Sequence, residues 1–437
     1  MWFNEGTFYQ IYPLGYCGAE RVNDFGETRH RFHKIEENIP HLKELGISAV
    51  LFNPLVESCT HGYDTVDFYS VDRRLGTNAE FKALVQKLHD NGIKVVLDGV
   101  FNHVGREFAP FKAVRQEREN TFYKFWFNIN FNSNNNYNDG FSYENWEGHN
   151  ELVKLKLDNW DLQKYLMDAV RFWIDEFDID GLRLDVSYLL PEWFFELLRR
   201  TVQEKKPEFF LMGEVIHIGN FAENITPERL DSITNYECFK GMVSSVNSDN
   251  LFEIEYSLTR LFSSVHWALY SGKRLFNFVD NHDVLRAYTA LKNKANVFAL
   301  YTLLFTVPGI PCLYYGSEYA AEGDKSDSDY RLRPFIDDLD KNKHPELLAF
   351  LQKLCALRKD SRALAYGNYE KVYLQNRNLV FSRSYEGEKV YACINLDDAP
   401  VTVHIGEGEG VNLLQGERVN LSCVTLPPHS GFILRAQ

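Results

Sequence analysis

The sequence predicts an α/β protein built on a closed (β/α)8 barrel, with a short inserted subdomain after the third strand and a C-terminal antiparallel β-sandwich domain. Three observations predict it. Short apolar runs alternate with helix-period segments, which gives parallel strands joined by crossover helices. Eight such runs can be counted, and eight parallel strand–helix units close into a barrel. After about residue 365 the pattern changes to period-two alternation broken by Gly- or Asp-containing turns, the pattern of antiparallel sheet.

The expected barrel strands are 8–12, 49–52, 94–98, 181–185, 209–214, 232–236, 275–280 and 311–315. Helices are expected at 35–45, ending at Gly46, and at 78–89, 161–177, 192–204, 251–269 and 295–306, with a last helix over 344–357 covering the bottom. Between 104 and 156 the chain is polar and aromatic and too long for an ordinary connection, so it reads as an inserted subdomain, with its Asn-rich run 132–136 expected to be disordered. The strands expected after the barrel are 371–374, 379–384, 389–395, 401–405 and 430–434. The resulting division is 1–103 with 157–360 as the barrel, 104–156 as the insertion and 361–437 as the β domain, which is expected to cover apolar barrel surface.

Composition narrows the function. The 437 residues carry a formal charge of −14, which opposes nucleic acid and anionic membrane as partners, and no run of about 20 apolar residues is present. Aromatic residues make up 15% of the chain; most are expected in the core. Seven scattered cysteines without paired spacing do not form a disulfide framework or a zinc knuckle. The start Met1-Trp2-Phe3-Asn4-Glu5 lacks a charged leader with an apolar run, so no signal peptide is expected and the expected location is cytoplasmic. Oligomeric state is not legible.

Catalytic groups in such barrels stand at the C-terminal ends of the strands. Those ends carry Asp98 with Asn102 and His103, then Arg183 and Asp185, then Glu214, then Asp280, Asn281, His282 and Asp283. Arg183 and Asp185 share one strand face, and a carboxylate beside a guanidinium is expected to stay ionised, as a nucleophile requires. Neither a phosphate-cradling G-x-x-x-x-G-K-[ST] loop nor a G-x-S-x-G elbow is present, so the acid cluster points to hydrolysis of a neutral polyol.

Four motifs carry a resemblance: Asp98-Gly-Val-Phe-Asn-His103, Gly181-Leu-Arg-Leu-Asp185, Gly213-Glu214 and Phe278-Val-Asp-Asn-His-Asp283. In order, spacing and strand placement the chain resembles the α-amylase family, glycoside hydrolase family 13. The stretch His61-Gly-Tyr-Asp-Thr-Val-Asp67 with Gly76-Thr77, and Trp146-x-Gly-His149-x-x-Leu152-x-Lys154-Leu155, bring it nearest to the neopullulanase and cyclomaltodextrinase branch. The resemblance implies a retaining α-glucan hydrolase acting on α-1,4 bonds of malto-oligosaccharides or cyclodextrins, with α-1,6 cleavage left open. Asp185 would be the nucleophile, Glu214 the general acid and base, and Asp283 the third carboxylate. Arg183 would keep Asp185 charged, His103 and His282 would bond sugar hydroxyls, and Tyr63 would stack beneath the ring. The acid pair would stand about 5–5.5 Å apart, with Glu214 held protonated. Asp98 is expected to brace Arg183.

No cofactor is required for this chemistry. A structural Ca2+ at Asn102, a ligand in many α-amylases, is left open and unsupported, because the insertion offers few clustered acids. The acidic run 323–329 lacks the full calcium pattern and reads as a solvated loop or a border of the cleft. Departures from the branch include Ile216 where Trp commonly follows the acid, and Tyr188-Leu189-Leu190 where many α-amylases have Lys-His. The first strand begins at Thr7, so an N-terminal β domain and a dimer built on it are not expected. A glucanotransferase or trehalose-synthase-like isomerase on the same barrel is one alternative. A non-catalytic sugar-binding or partner module is another, opposed by the presence of all three acids.

Overall fold

Period-two alternation sorts the barrel strands so that apolar side chains fill the interior and polar ones crown it. The computed structural model describes residues 1–217, 219 and 221–437. Its barrel strands are β1 (Phe8–Ile11), β2 (Ala49–Phe52), β3 (Lys94–Gly99), β4 (Gly181–Leu184), β5 (Phe210–Gly213), β6 (Ser232–Ile233), β7 (Phe276–Asn277) and β8 (Ile310–Tyr314). They run in the order β6-β5-β4-β3-β2-β1-β8-β7, all parallel. A parallel bridge between Thr234 and Phe276 joins the two ends, so the cylinder closes.

Phe3, Phe8, Leu51, Val96, Phe210, Met212, Phe276, Ile310 and Cys312 pack inside as one apolar plug. Two residues further along the same strand faces come Gln10, Asn53, Asp98 and Glu214, all buried. The polar layer therefore rests on a dry floor by register alone.

All eight expected strands form, with shorter ends at β6 and β7. Asn235 ends β6 early because its side chain accepts the Cys238 N–H and caps a helix, Tyr236–Ser248, that period analysis missed. The single helix expected over 251–269 is Phe252–Phe262 only. The helix expected at 35–45 is split into His33–Glu36 and Ile39–Leu45, with Pro40 in the first turn of the second and Gly46 left-handed at φ 86° as its stop.

Two excursions leave the mouth of the barrel. After β2 comes the antiparallel hairpin Val56–Ser58 with Thr65–Val71, whose turn carries Tyr63. After β3 comes the insertion, where His103–Gly105, His149–Lys154 and Asn145–Trp146 form a three-stranded antiparallel sheet. Its Asn-rich run is not loose. Asn135 Nδ2 donates to Asp139 Oδ2 and to the Phe141 carbonyl, both at 2.8 Å, and Asn134 Oδ1 accepts the Gly140 N–H at 2.8 Å. Asparagine amides satisfying turn backbone are what hold such a segment.

At the C-terminus, Asn368–Leu374, Asn378–Tyr385, Glu388–Asn395, Ser430–Ala436, Glu409–Asn412 and Arg418–Asn420 form an antiparallel sheet in that order. A second pair, Val401–Val403 with Val424–Leu426, completes the sandwich. Alternation divides the faces: Leu379, Phe381, Ala392, Ile394 and Ile433 join the barrel core, whereas Val380, Tyr391, Cys393 and Leu434 fill the sandwich core. Arg383 welds the two units. It is fully buried and donates to the Thr306 carbonyl at 2.6 Å, closing the C-terminus of helix Val297–Thr306, and to the carbonyls of Gly367 and Asn368. Replacing it by Met leaves those carbonyls unpaired, so Arg383→Met should lose about 3 kcal/mol or more of unfolding free energy in denaturant titration. A loss within about 0.5 kcal/mol, the range of ordinary surface substitutions, would refute this linkage.

Candidate active site

The first residue past β4 is Asp185 and the first past β5 is Glu214, so adjacent parallel strands aim two carboxyls at one opening. Gly213 makes room for this: a Cβ there would stand 2.5 Å from Ser187 Oγ. Both acids, with Asp283, line one cleft of about 520 Å3 that also takes in Tyr63, His103, Trp146, Ile216, Tyr236 and Arg333.

Arg183 organises the floor beneath them. It lies opposite Asp98 in the β4–β3 register and bonds its Oδ2. Its Nη2 stands 2.7 Å from Glu214 Oε1 and its Nη1 3.6 Å from Asp185 Oδ1. Glu214 is further held by the Val186 N–H, 3.1 Å from Oε2, and by the Tyr236 hydroxyl at 3.5 Å. Val186 reaches this position in a left-handed conformation, φ 39°, an outlier for a β-branched residue.

The charge pattern corrects one expectation. Arg183 spends its closest contacts on Asp98 and Glu214, so it does not hold Asp185 down. Burial and then the Glu214 charge push Asp185 well above the usual carboxylate range, against the pull of Arg183. Glu214 is also raised, by burial first, with Arg183 opposing and Asp283 adding. Asp98 is raised as well, by burial against Arg183. Three buried acids share one guanidinium, and they titrate as a group.

Asp283 behaves differently. Burial acts to raise it, but His282, Arg333, Arg183 and Lys325 outweigh burial and hold it below the usual range. Arg333 Nη2 is 3.0 Å from its Oδ1 and His282 Nε2 is 3.0 Å from its Oδ2. Burial pushes both His103 and His282 down to about 3, so each is a neutral ring near neutrality. Gln10 Nε2 at 3.0 Å from His282 Nδ1 and Asn102 Nδ2 at 3.1 Å from His103 Nδ1 leave the hydrogen on Nε2 of each. His103 Nε2 has no hydrogen-bond partner among the described residues and points 3.9 Å from Asp185 Oδ2. Tyr63 lies nearly parallel to the His282 ring, 5.7 Å between centroids, and its hydroxyl donates to Asp98 Oδ2 at 3.0 Å.

Of the seven residues expected here, Asp185, Glu214, Asp283, Tyr63 and His103 line the cleft, while Arg183 and His282 stand behind that wall. Asn102 is turned onto His103, and no group of three or more His, Cys, Asp or Glu side chains able to hold a metal occurs among the described residues. The acidic loop after β8 borders the cleft through Lys325, Ser328 and Asp329. Gln10, Asn53 and Tyr236 were missed; each sits at or just past a strand end, and reading amides and hydroxyls there as well as acids would have found them.

A closed eight-stranded barrel with three carboxyls gathered at its C-terminal mouth, and no phosphate cradle, defines a glycoside hydrolase. Residues 10–344 match the family described as "Alpha amylase, catalytic domain", and the chain belongs to that α-amylase family. Cyclomaltodextrinase of Thermoanaerobacter pseudethanolicus is 31% identical over 458 residues, covering 99% of this chain and 78% of the relative. Neopullulanase 2 of Thermoactinomyces vulgaris is 29% identical over 466 residues, with 99% and 78% covered. A solved cyclomaltodextrinase superposes with a TM-score of 0.87 at 26% identity, covering all of this chain and 78% of that one.

The raised acids have a measurable consequence. The folded protein keeps a proton on Asp185 that the unfolded chain releases above about pH 4, so this contribution to stability is full at low pH and is lost as pH rises through the folded pKa. Asp185→Asn removes the burden and should melt at a higher temperature than the parent at pH 8, with the difference closing as pH falls to about 4. A variant less stable than its parent at pH 8 would contradict the raised pKa.

Proposed function

We propose that this chain is a retaining hydrolase of α-1,4 and also α-1,6 glucosidic bonds in short or cyclic α-glucans. The observation that carries this is the sharing of one cleft by Asp185, Glu214 and Asp283. Asp185 attacks the anomeric carbon and forms the covalent glycosyl intermediate, and Glu214 protonates the leaving oxygen and then activates water. Asp283, fixed in its charged form by Arg333, grips ring hydroxyls. The neutral Nε2–H groups of His103 and His282 and the ring of Tyr63 complete the subsite of the cleaved sugar, with His282 acting mainly through Asp283 and Tyr63.

The units proposed are the barrel of 1–103 with 157–360, the inserted 104–156 and the β domain 361–437. In this reading the insertion supplies one wall of the cleft through Trp146, His149 and Leu152. A cytoplasmic location agrees with seven free cysteines, and no helix among the described residues is long and apolar enough to cross a membrane.

The test is product chromatography on maltotriose, cyclodextrins, pullulan, panose and starch; new reducing ends are expected, and glucan rearranged without them would reject hydrolysis. Asp185→Asn and Glu214→Gln should each lower kcat by about a thousandfold with folding intact. Retention of more than roughly a tenth of turnover, under about 1.4 kcal/mol of barrier, would reject these roles. Activity should fall on the alkaline side as the last proton shared by Asp185 and Glu214 leaves.

A further inference from the structure

Three successive residues behind Asp185 each make a contact that reaches out of their own loop. The Val186 N–H holds Glu214 Oε2 at 3.1 Å. The Ser187 N–H and hydroxyl both donate to the Glu214 carbonyl, at 3.0 and 2.7 Å. The Tyr188 hydroxyl donates to Glu147 Oε1 at 3.3 Å. Burial first, and then the charges of Glu147 and Glu214, push that hydroxyl up to about 12, so it remains a donor near neutrality. Glu147 stands at the tip of the insertion's hairpin, where Asn145–Trp146 turns into His149–Lys154 through left-handed Glu147 (φ 48°) and Gly148 (φ 92°). Among the described residues, Tyr188 is the only one outside 104–156 to which the segment 144–151 is hydrogen-bonded or ion-paired.

Trp146 precedes that tip and lines the cleft. Its ring stands 5.2 Å from that of His149 and 6.0 Å from that of His103, whose Nε2 points to Asp185. Its indole N–H acts on the Tyr188 hydroxyl without completing a hydrogen bond. The ring therefore reaches from the side of Asp185 to the side of Glu214. We propose that Tyr188 is a specificity-determining positioning residue: it clasps the insertion's wall to the turn that holds Glu214, and so sets how the departing sugar is seated against Trp146. The inference rests on the glucan-hydrolase reading, in which the group that protonates the glycosidic oxygen stands beside the departing sugar. Sugar rings lay their apolar faces on aromatic rings, as other apolar groups do. A two-stranded hairpin is weakly held by itself, so a ring carried near its tip is placed only if the tip is fixed. Without the clasp, each binding event must order the wall at the expense of affinity.

The experiment is steady-state hydrolysis of maltotriose by the full-length protein and by Tyr188→Phe, Glu147→Ala and the double variant, with a melting curve for each. Tyr188→Phe keeps the ring and removes only the donor. Glu147→Ala removes the acceptor at an exposed turn, so the barrel keeps its fold. Each change should raise KM about fivefold, the worth of one hydrogen bond, while kcat stays within about twofold and the melting temperature is unchanged. The double variant should be no worse than either single one, because both remove the same contact. Glu147→Gln still offers an acceptor and should bring KM back to within about twofold of the parent. The inference is overturned if KM stays within about twofold of the parent in both single variants, if the two effects multiply in the double variant, or if kcat falls while KM is unchanged. A parent that turns over no glucan at all would reject the hydrolase reading and this inference with it, whereas turnover indifferent to the clasp rejects the clasp alone.

Discussion

One buried guanidinium carries the arrangement at the barrel mouth. Arg183 is 3% exposed and serves Asp98 and Glu214 directly and Asp185 at longer range. Burying ions is costly unless they are paired and hydrogen-bonded, and here three acids compete for one cation. Strand register makes the competition unavoidable. Arg183 faces Asp98 across β3 and β4, and the shared strand face brings Asp185 to the same side. The apolar plug below excludes water from the floor, so the acids can relieve their repulsion only by keeping protons or by meeting a ligand.

The surroundings of the cluster are fixed in advance. Val186 accepts a left-handed conformation, and its N–H is thereby directed to Glu214. Strained backbone of this kind persists where the neighbouring structure over-determines it; here β4 precedes Val186, and Ser187, whose N–H and hydroxyl both donate to the Glu214 carbonyl, follows it. His103 and His282 are neutral because they are buried, and Gln10 and Asn102 fix their tautomers. Electrostatic preorganisation of this type costs no rearrangement at the moment of reaction.

Much of this was legible in the sequence, and the failures have physical causes. Strand runs such as 49–52 and 95–97 are apolar on both faces because helices cover one and the plug the other, so they stand out. β7 keeps only Phe276–Asn277, since its polar end leaves the ladder to form the cleft loop, and alternation extended it too far. Helix Tyr236–Ser248 begins at a cap, Asn235, inside an apolar stretch, where periodicity alone reads strand. The four acid-bearing strand ends identified Asp185, Glu214 and Asp283. The sharing of Arg183 could not be read, because it depends on which oxygen meets which nitrogen across strands far apart in sequence.

That sharing bears on how two equivalent acids take different roles. In the free protein the donors Val186 N–H and Arg183 Nη2 both face Glu214, and hydrogen bonds to a carboxylate favour its charged form. Asp185 has only a longer contact with Arg183 and is pushed up further. Asp185 and Glu214 titrate together, so the free protein's geometry favours charge on Glu214 without fixing the shared proton on one of them. In the proposed reaction a bound sugar would decide between the two forms: positive charge developing at its anomeric centre would favour the anion at Asp185, and its glycosidic oxygen would accept a hydrogen bond only from a protonated Glu214.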